Sequence, residues 1–217
     1  MGNLRVFAEN AEHYDQWFEK HYTIFLAELA AIQKAMPNHK RGIEIGVGSG
    51  RFAAPLGIKF GIDPVPEMLQ KATARGIEVQ QGFAEYLLYP SNSFDYVLMT
   101  TTICFLNNID QAFFEVARVL QTDGIFTVAF IDKNSQLGQK YQKHKNNLFY
   151  ANATFYSPDD IYTRLENVGF KVMETYQTLL PDSNDPFECC SGYGKGAFVI
   201  INSKNNNKIL PKLSKRS

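Results

Sequence analysis

The sequence predicts an α/β protein built on one open sheet with helices on both sides. Two observations carry that prediction. Short continuous apolar runs at Gly42–Ile45, Ile58–Ile62 and Phe94–Met99 alternate with helix-length segments, the pattern of a doubly wound, mainly parallel sheet covered on both faces. The stretch 42–64, GIEIGVGSGRFAAPLGIKFGIDP, reads as strand, glycine turn, connection, strand and acid. Alternate glycines let a backbone turn tightly and approach a ligand closely, because no Cβ intervenes. An acid ending the next strand, Asp63, can accept hydrogen bonds from both hydroxyls of a ribose. The pair predicts a pocket for a nucleoside-containing cofactor.

Residues 11–36 read as one amphipathic helix. Tyr14, Trp17, Phe18, His21, Phe25, Leu29 and Ile32 recur at three- and four-residue steps, and Pro37 ends the pattern. Strands at Gly42–Ile45 and Ile58–Ile62 follow, with Pro55 breaking the segment between them. Pro64 and Pro66 open a helix that runs to about Ala74 and stops at Gly76. Ile77–Gln80 is a third strand and Phe94–Met99 a fourth; Asp110–Leu120 is a helix, and a turn at Asp123-Gly124 leads into a fifth strand, Ile125–Ile131. Residues 132–154 form a polar, locally basic insert that is expected to hold one helix and is a candidate cover for the site. Ser157-Pro158-Asp159-Asp160 has the side chains of a helix start, and that helix runs to Val168. Phe170–Thr178 is a sixth strand, Leu179–Lys195 a long loop, and Ala197–Asn202 a seventh strand. Residues 1–203 therefore make one domain, and 204–217, rich in Asn and Lys, are expected to be a disordered basic tail.

Composition narrows the class. With 217 residues, 45% hydrophobic and 20% charged, the chain can bury a sizeable single core. A net charge of zero gives no reason to expect a nucleic-acid partner. No apolar run is long enough to span a bilayer, so no membrane is expected. Three cysteines, Cys104, Cys189 and Cys190, form neither a disulfide framework nor a metal-binding pair. A reducing, cytoplasmic setting is expected, with no metal.

Gly48-Ser49-Gly50-Arg51-Phe52-Ala53 fits the dinucleotide fingerprint formally. Asp63 comes too early for it, Pro55 interrupts the helix it needs, and Glu44 stands inside the strand where an apolar residue belongs. Glu44-x-Gly46-x-Gly48-x-Gly50 instead resembles the class I S-adenosylmethionine-dependent methyltransferases, in their small single-domain form known as methyltransferase type 11. The resemblance covers about residues 14–202. It implies a Rossmann-like sheet of seven strands, mostly parallel with an antiparallel last strand. It also implies S-adenosylmethionine as methyl donor, S-adenosylhomocysteine as product, and a role for the Tyr14–Phe18 stretch in an N-terminal lid helix, 11–36, over the cofactor.

The same resemblance assigns residues. Gly46, Gly48 and Gly50 would hold the methionine end, Glu44 would orient that loop, and Asp63 would bind the ribose, with an N-terminal helix cap as its alternative. Pro64 and Met68 would pack on the adenine, and Phe52 would flank the pocket or join the core. Ala84 and Glu85 would lie at the adenine edge, where many relatives carry an Asp in place of Phe83. Thr100 and Thr101 would sit beside the transferred methyl; Thr100-Thr101-Thr102-Ile103 departs from the motif used on nucleobase amines. Candidates for a general base are His21, Tyr193, Tyr14 and His144, none of them in a motif that selects it. The acceptor is expected to be a small molecule. A protein or peptide methyltransferase, a non-catalytic S-adenosylmethionine binder and an NAD-dependent dehydrogenase are the competing readings.

Overall fold

A computed structural model of the chain describes residues 2–38, 40–143 and 148–206, with residues 2 and 3 as backbone alone. Three helices come first: α1, Gly2–Glu9; α2, Ala11–Lys20; and α3, Tyr22–Ala35. Then follow β1, Gly42–Ile45; β2, Phe60–Asp63; α4, Pro66–Ala74; β3, Glu78–Gln81; and β4, Phe94–Thr100. The second half holds α5, Ile109–Val119; β5, Leu120–Ile131; α6, Gln136–Lys143; α7, Pro158–Asn167; β6, Phe170–Thr178; β7, Cys190–Ser191; and β8, Phe198–Asn205.

The strands form one sheet in the order β3-β2-β1-β4-β5-β8-β6-β7. β1 to β5 are parallel neighbours, and β8 inserts antiparallel between β5 and β6. This is the Rossmann-like layout expected, with eight strands rather than seven. The extra strand is the two-residue β7, which pairs with Tyr176 and Gln177 at the sheet edge. It is too short to leave a periodic signal and sits inside the predicted loop.

Alternation along the strands explains the continuous apolar runs. Val97, Met99, Phe126 and Val128 pack on one face with Phe113 and Val116 of α5 and Ile161 and Leu165 of α7. Tyr96, Leu98, Ala129 and Ile131 pack on the other with Phe25 and Ile32 of α3 and Leu69 and Ala72 of α4. The capping box at α7 is present, with the Ser157 hydroxyl accepting the Asp160 N–H and the Asp160 carboxylate accepting the Ser157 N–H.

Several boundaries differ from expectation. The single helix 11–36 is two helices, because His21 leaves helical geometry (φ −117°, ψ 40°). The unpredicted α1 precedes them. Its signal is Leu4, Phe7, Ala8 and Ala11 at helical spacing, and all four pack with Val65 and Met68. β5 begins at Leu120; Asp123 becomes a left-handed kink (φ +65°) within the strand, and the pairing with β4 shifts register there. β8 continues past residue 203 to Asn205, with Lys204 paired to Asp123 at 2.8 Å. Residues 207–217 lie outside the described residues. No described helix is long and apolar enough to cross a membrane.

One ion-pair network clamps α2 to the glycine turn. The Asp15 carboxylate accepts Arg51 Nε at 2.9 Å and Arg51 Nη2 at 2.7 Å, and also Arg75 Nη2 at 2.8 Å. Arg75 in turn donates to the Ser49 carbonyl at 2.7 Å. Burial raises the Asp15 carboxyl, but hydrogen bonds from the two guanidinium groups outweigh it and hold the group below the usual carboxylate range. Asp15→Ala should lower stability by about 2–3 kcal/mol in urea unfolding. Glu19→Ala removes only an exposed partner of Arg51 and should change little. Equal effects from the two substitutions would show that the clamp is not where α2 is held.

Candidate active site

At the carboxyl ends of β1, β2 and β4 lies a cavity of about 910 Å³. Its floor is the glycine turn. Gly46 and Gly48 have φ of +74° and +51° and line the cavity. A Cβ on Gly46 would overlap the Thr102 side chain, which folds over the turn; one on Gly48 would meet only Tyr14, at 4.0 Å. Gly48 is therefore the point where backbone faces open space.

Asp63 ties the floor together. Its Oδ2 accepts the Gly48 N–H at 3.0 Å and its Oδ1 accepts the Val65 N–H at 2.9 Å, just ahead of α4. Burial pushes its carboxyl up to about 6 against those two N–H groups, which favour the charged form. Each oxygen keeps a lone pair for a further donor.

Pro64, Val65 and Met68 continue one wall, and Gly82–Tyr86 the next. Arg118 holds that second wall, donating to the Leu87 and Tyr89 carbonyls at 2.8 Å each, while Glu115 accepts the Leu87 N–H. Phe83 lines the cavity and is 46% exposed. At the inner end are Thr100, Thr101 and Thr102. Thr101 has φ +51°, costly for a β-branched residue. The roof comes from Leu4 and Phe7 of α1 and Tyr14 of α2, with Phe7 against Phe105 and stacked on Phe149.

Beneath the turn, Glu44 is 2% exposed. It points away from the Ile43 and Ile45 face, into the layer that receives Leu98 and Thr100. Burial raises its carboxyl to about 8, opposed by the Thr100 hydroxyl and the Ala53 amide. Glu44 Oε2 and Thr100 Oγ1 are both sealed, and neither completes a hydrogen bond.

Comparison with known proteins places this geometry. Residues 43–128 match the family model described as a methyltransferase domain. A Thermotoga maritima structure described as a SAM-dependent methyltransferase, possible histamine N-methyltransferase, is 38% identical; the match covers 93% of this chain and 98% of that one, with a TM-score of 0.88. The chain belongs to the S-adenosylmethionine-dependent methyltransferases. An uncharacterized protein of Methanocaldococcus jannaschii is 37% identical over 204 residues, 93% of this methyltransferase and 99% of the relative. A Haloferax volcanii methyltransferase solved in complex with the Trm112 methyltransferase activator shares the fold at 18% identity, with a TM-score of 0.69 over 93% of this chain and 97% of that one.

Tyr14, Gly46, Gly48, Asp63, Pro64, Met68, Ala84, Glu85, Thr100 and Thr101 all line the methyltransferase cavity. Other expected site residues lie elsewhere. Gly50 (φ +81°) packs against Ile77 and Ala72, where a side chain would not fit. Phe52 is core, edge-on to Phe18 and Phe25. Glu85 borders the cavity, but its Oε1 accepts the Asn107 and Asn108 N–H groups, which fix the loop before α5. Tyr193 is turned outward; its hydroxyl donates to Asp159 at 2.7 Å and its ring packs on Tyr162. His21 is exposed, stacked on Trp17 and hydrogen-bonded to the Trp17 carbonyl. Neither touches the cavity, so neither is placed to act as a base. His144 lies outside the described residues. Among the described residues no three His, Cys, Asp or Glu side chains gather as a metal site. Leu4, Phe7, Phe105, Asn107, Gln111 and Asn152 also line the cavity, and no motif announces them.

The raised carboxyls fix a pH dependence. Folded Glu28, Glu44 and Asp63, each raised by burial, hold protons that the unfolded chain, with ordinary values of 4.5 for Glu and 3.8 for Asp, has released. Their contribution to stability is complete at low pH and is lost as pH rises towards 8. Asp15 and Asp160, held low, act in the opposite sense only at more acidic pH. Melting temperature should therefore fall between pH 5 and pH 8.5 in ligand-free protein. Glu44→Gln should flatten that slope; an unchanged slope would show that the carboxyl is not buried as described.

Proposed function

We propose that this methyltransferase carries S-adenosylmethionine across the floor of the cavity and passes its methyl group to a small, non-acidic molecule enclosed under the α1–α2 roof. The residues fit the donor. Asp63 has free lone pairs for two ribose hydroxyls, and Gly48 presents bare backbone. Phe83 offers an aromatic face for the adenine in place of a hydrogen-bond acceptor.

The donor supplies a methyl on a positively charged sulfur, an excellent leaving group. The protein's part is alignment and exclusion of water. The Thr100–Thr102 backbone shapes the inner end of the cavity, and Leu4, Phe7 and Tyr14 close it from above.

The observation that carries the reading is the roofed cavity itself. At about 910 Å³, with Leu4, Phe7 and Tyr14 over the glycine turn, it has room for the donor and a small acceptor together. Among the described lining residues there are two acids, Asp63 and Glu85, and no Lys, Arg or His. A carboxylate or phosphate acceptor would meet repulsion there. The turns over residues 51–57, where a dinucleotide domain needs a helix, argue against NAD.

Calorimetry with S-adenosylhomocysteine should show binding, weakened by about 1.5–3 kcal/mol in Asp63→Ala. Unchanged affinity would remove the ribose role. Release of S-adenosylhomocysteine from donor plus a small-molecule acceptor would separate an enzyme from a non-catalytic binder.

A further inference from the structure

The amino-acid end of the donor carries two charges, an ammonium and a carboxylate, and the glycine turn answers only the first. Its N–H groups are already engaged. Gly46 and Val47 donate to the Ile62 carbonyl at 2.8 and 3.0 Å, Gly48 to Asp63 at 3.0 Å, and Gly50 to the Val47 carbonyl at 2.8 Å. Ser49 is 2% exposed and does not line the cavity. An ammonium can be met by carbonyl oxygens such as that of Gly46, which has only a long contact, 3.4 Å, from the Thr102 hydroxyl. A carboxylate needs N–H or O–H donors. No Lys, Arg or His stands among the described lining residues to supply them. Arg51 and Arg75, beside the turn, are committed to Asp15.

The hydroxyls of the lining narrow the choice. Thr102 donates to the Thr100 carbonyl at 3.1 Å, and the Thr100 hydroxyl is sealed. Tyr14 stands over the open point of the turn. Its Cε1, the ring carbon next to the one that bears the hydroxyl, is what a Cβ on Gly48 would meet, at 4.0 Å. The hydroxyl end of the ring therefore faces Gly48, and among the described residues that hydroxyl has no hydrogen-bond partner. Burial raises the phenol above its ordinary value, so it stays protonated and able to donate. The ring is held edge-on to Phe7 and Phe18, with centroids 5.4 Å from each. Asp15, the next residue, clamps this turn of α2 to Arg51 and Arg75.

We propose that the Tyr14 hydroxyl donates to the carboxylate of the bound donor, a neutral phenol in the place where a cationic side chain would otherwise serve. This rests on the methyltransferase reading above and adds the residue that recognises the donor's amino-acid end. A neutral partner meets the carboxylate without setting a second positive charge in the cavity against the donor's sulfonium.

The test is calorimetric titration with S-adenosylhomocysteine and with decarboxylated S-adenosylhomocysteine, which keeps the ammonium and lacks only the carboxylate. The complete ligand should bind the unmutated protein about tenfold tighter or more, as a hydrogen bond to a charged group implies. In Tyr14→Phe that preference should fall to about threefold or less, while affinity for the decarboxylated ligand stays within about twofold and the melting temperature is retained. Equal binding of the two ligands by the unmutated protein would overturn the proposal without any variant. So would a Tyr14→Phe protein that keeps the preference, or one that loses affinity for both ligands alike. Absence of binding by either ligand would remove the cofactor reading and this inference together, whereas binding without a preference for the carboxylate removes the inference alone.

Discussion

The site depends on one carboxylate. Asp63 ends β2 and takes an N–H from Gly48 with one oxygen and from Val65 with the other. The first bond fixes the glycine turn after β1; the second fixes the entry to α4. Parallel pairing of Ile43, Glu44 and Ile45 with Phe60, Gly61 and Ile62 brings turn and acid to the same sheet edge. A single side chain thus joins the loop that approaches a ligand to the helix that walls it, with capacity left for hydroxyl donors. The ribose and N-cap readings of Asp63 are compatible, because the carboxylate has more acceptor positions than its two backbone partners use.

The charges follow a second constraint. Positive side chains around the site serve structure: Arg51 and Arg75 hold α2 through Asp15, and Arg118 holds the Gly82–Tyr89 wall. None of them lines the cavity. The acids behind and beneath it, Glu28 and Glu44, have raised carboxyls. A donor bearing a sulfonium suits a cavity whose described lining carries two acids, Asp63 and Glu85, and no basic side chain.

Much of this was legible in the sequence. Glu44, the glycine spacing and Asp63 announced the turn and the acid, and apolar runs without alternation announced strands buried on both faces. Other features were not. The break at His21 is invisible because apolar spacing continues smoothly from Trp17 and Phe18 to Phe25, so one helix and two helices have the same pattern. Gly50 resembles a ligand-facing glycine in the motif, but its Cα faces Ile77, a contact set by where α4 and β3 happen to pack. Tyr193 lies in a glycine-rich loop that looked mobile enough to reach the site, and its bond to Asp159 points it outward. The helical spacing of α1 is in the sequence, but its place over the cavity is set by tertiary packing.

The most direct measurement is a crystal structure of the protein soaked with S-adenosylhomocysteine. The account requires the ribose hydroxyls within hydrogen-bonding distance of Asp63 and the amino-acid end against the Gly46–Gly48 backbone. A ligand bound elsewhere, or a ribose turned away from Asp63 towards solvent, would contradict it.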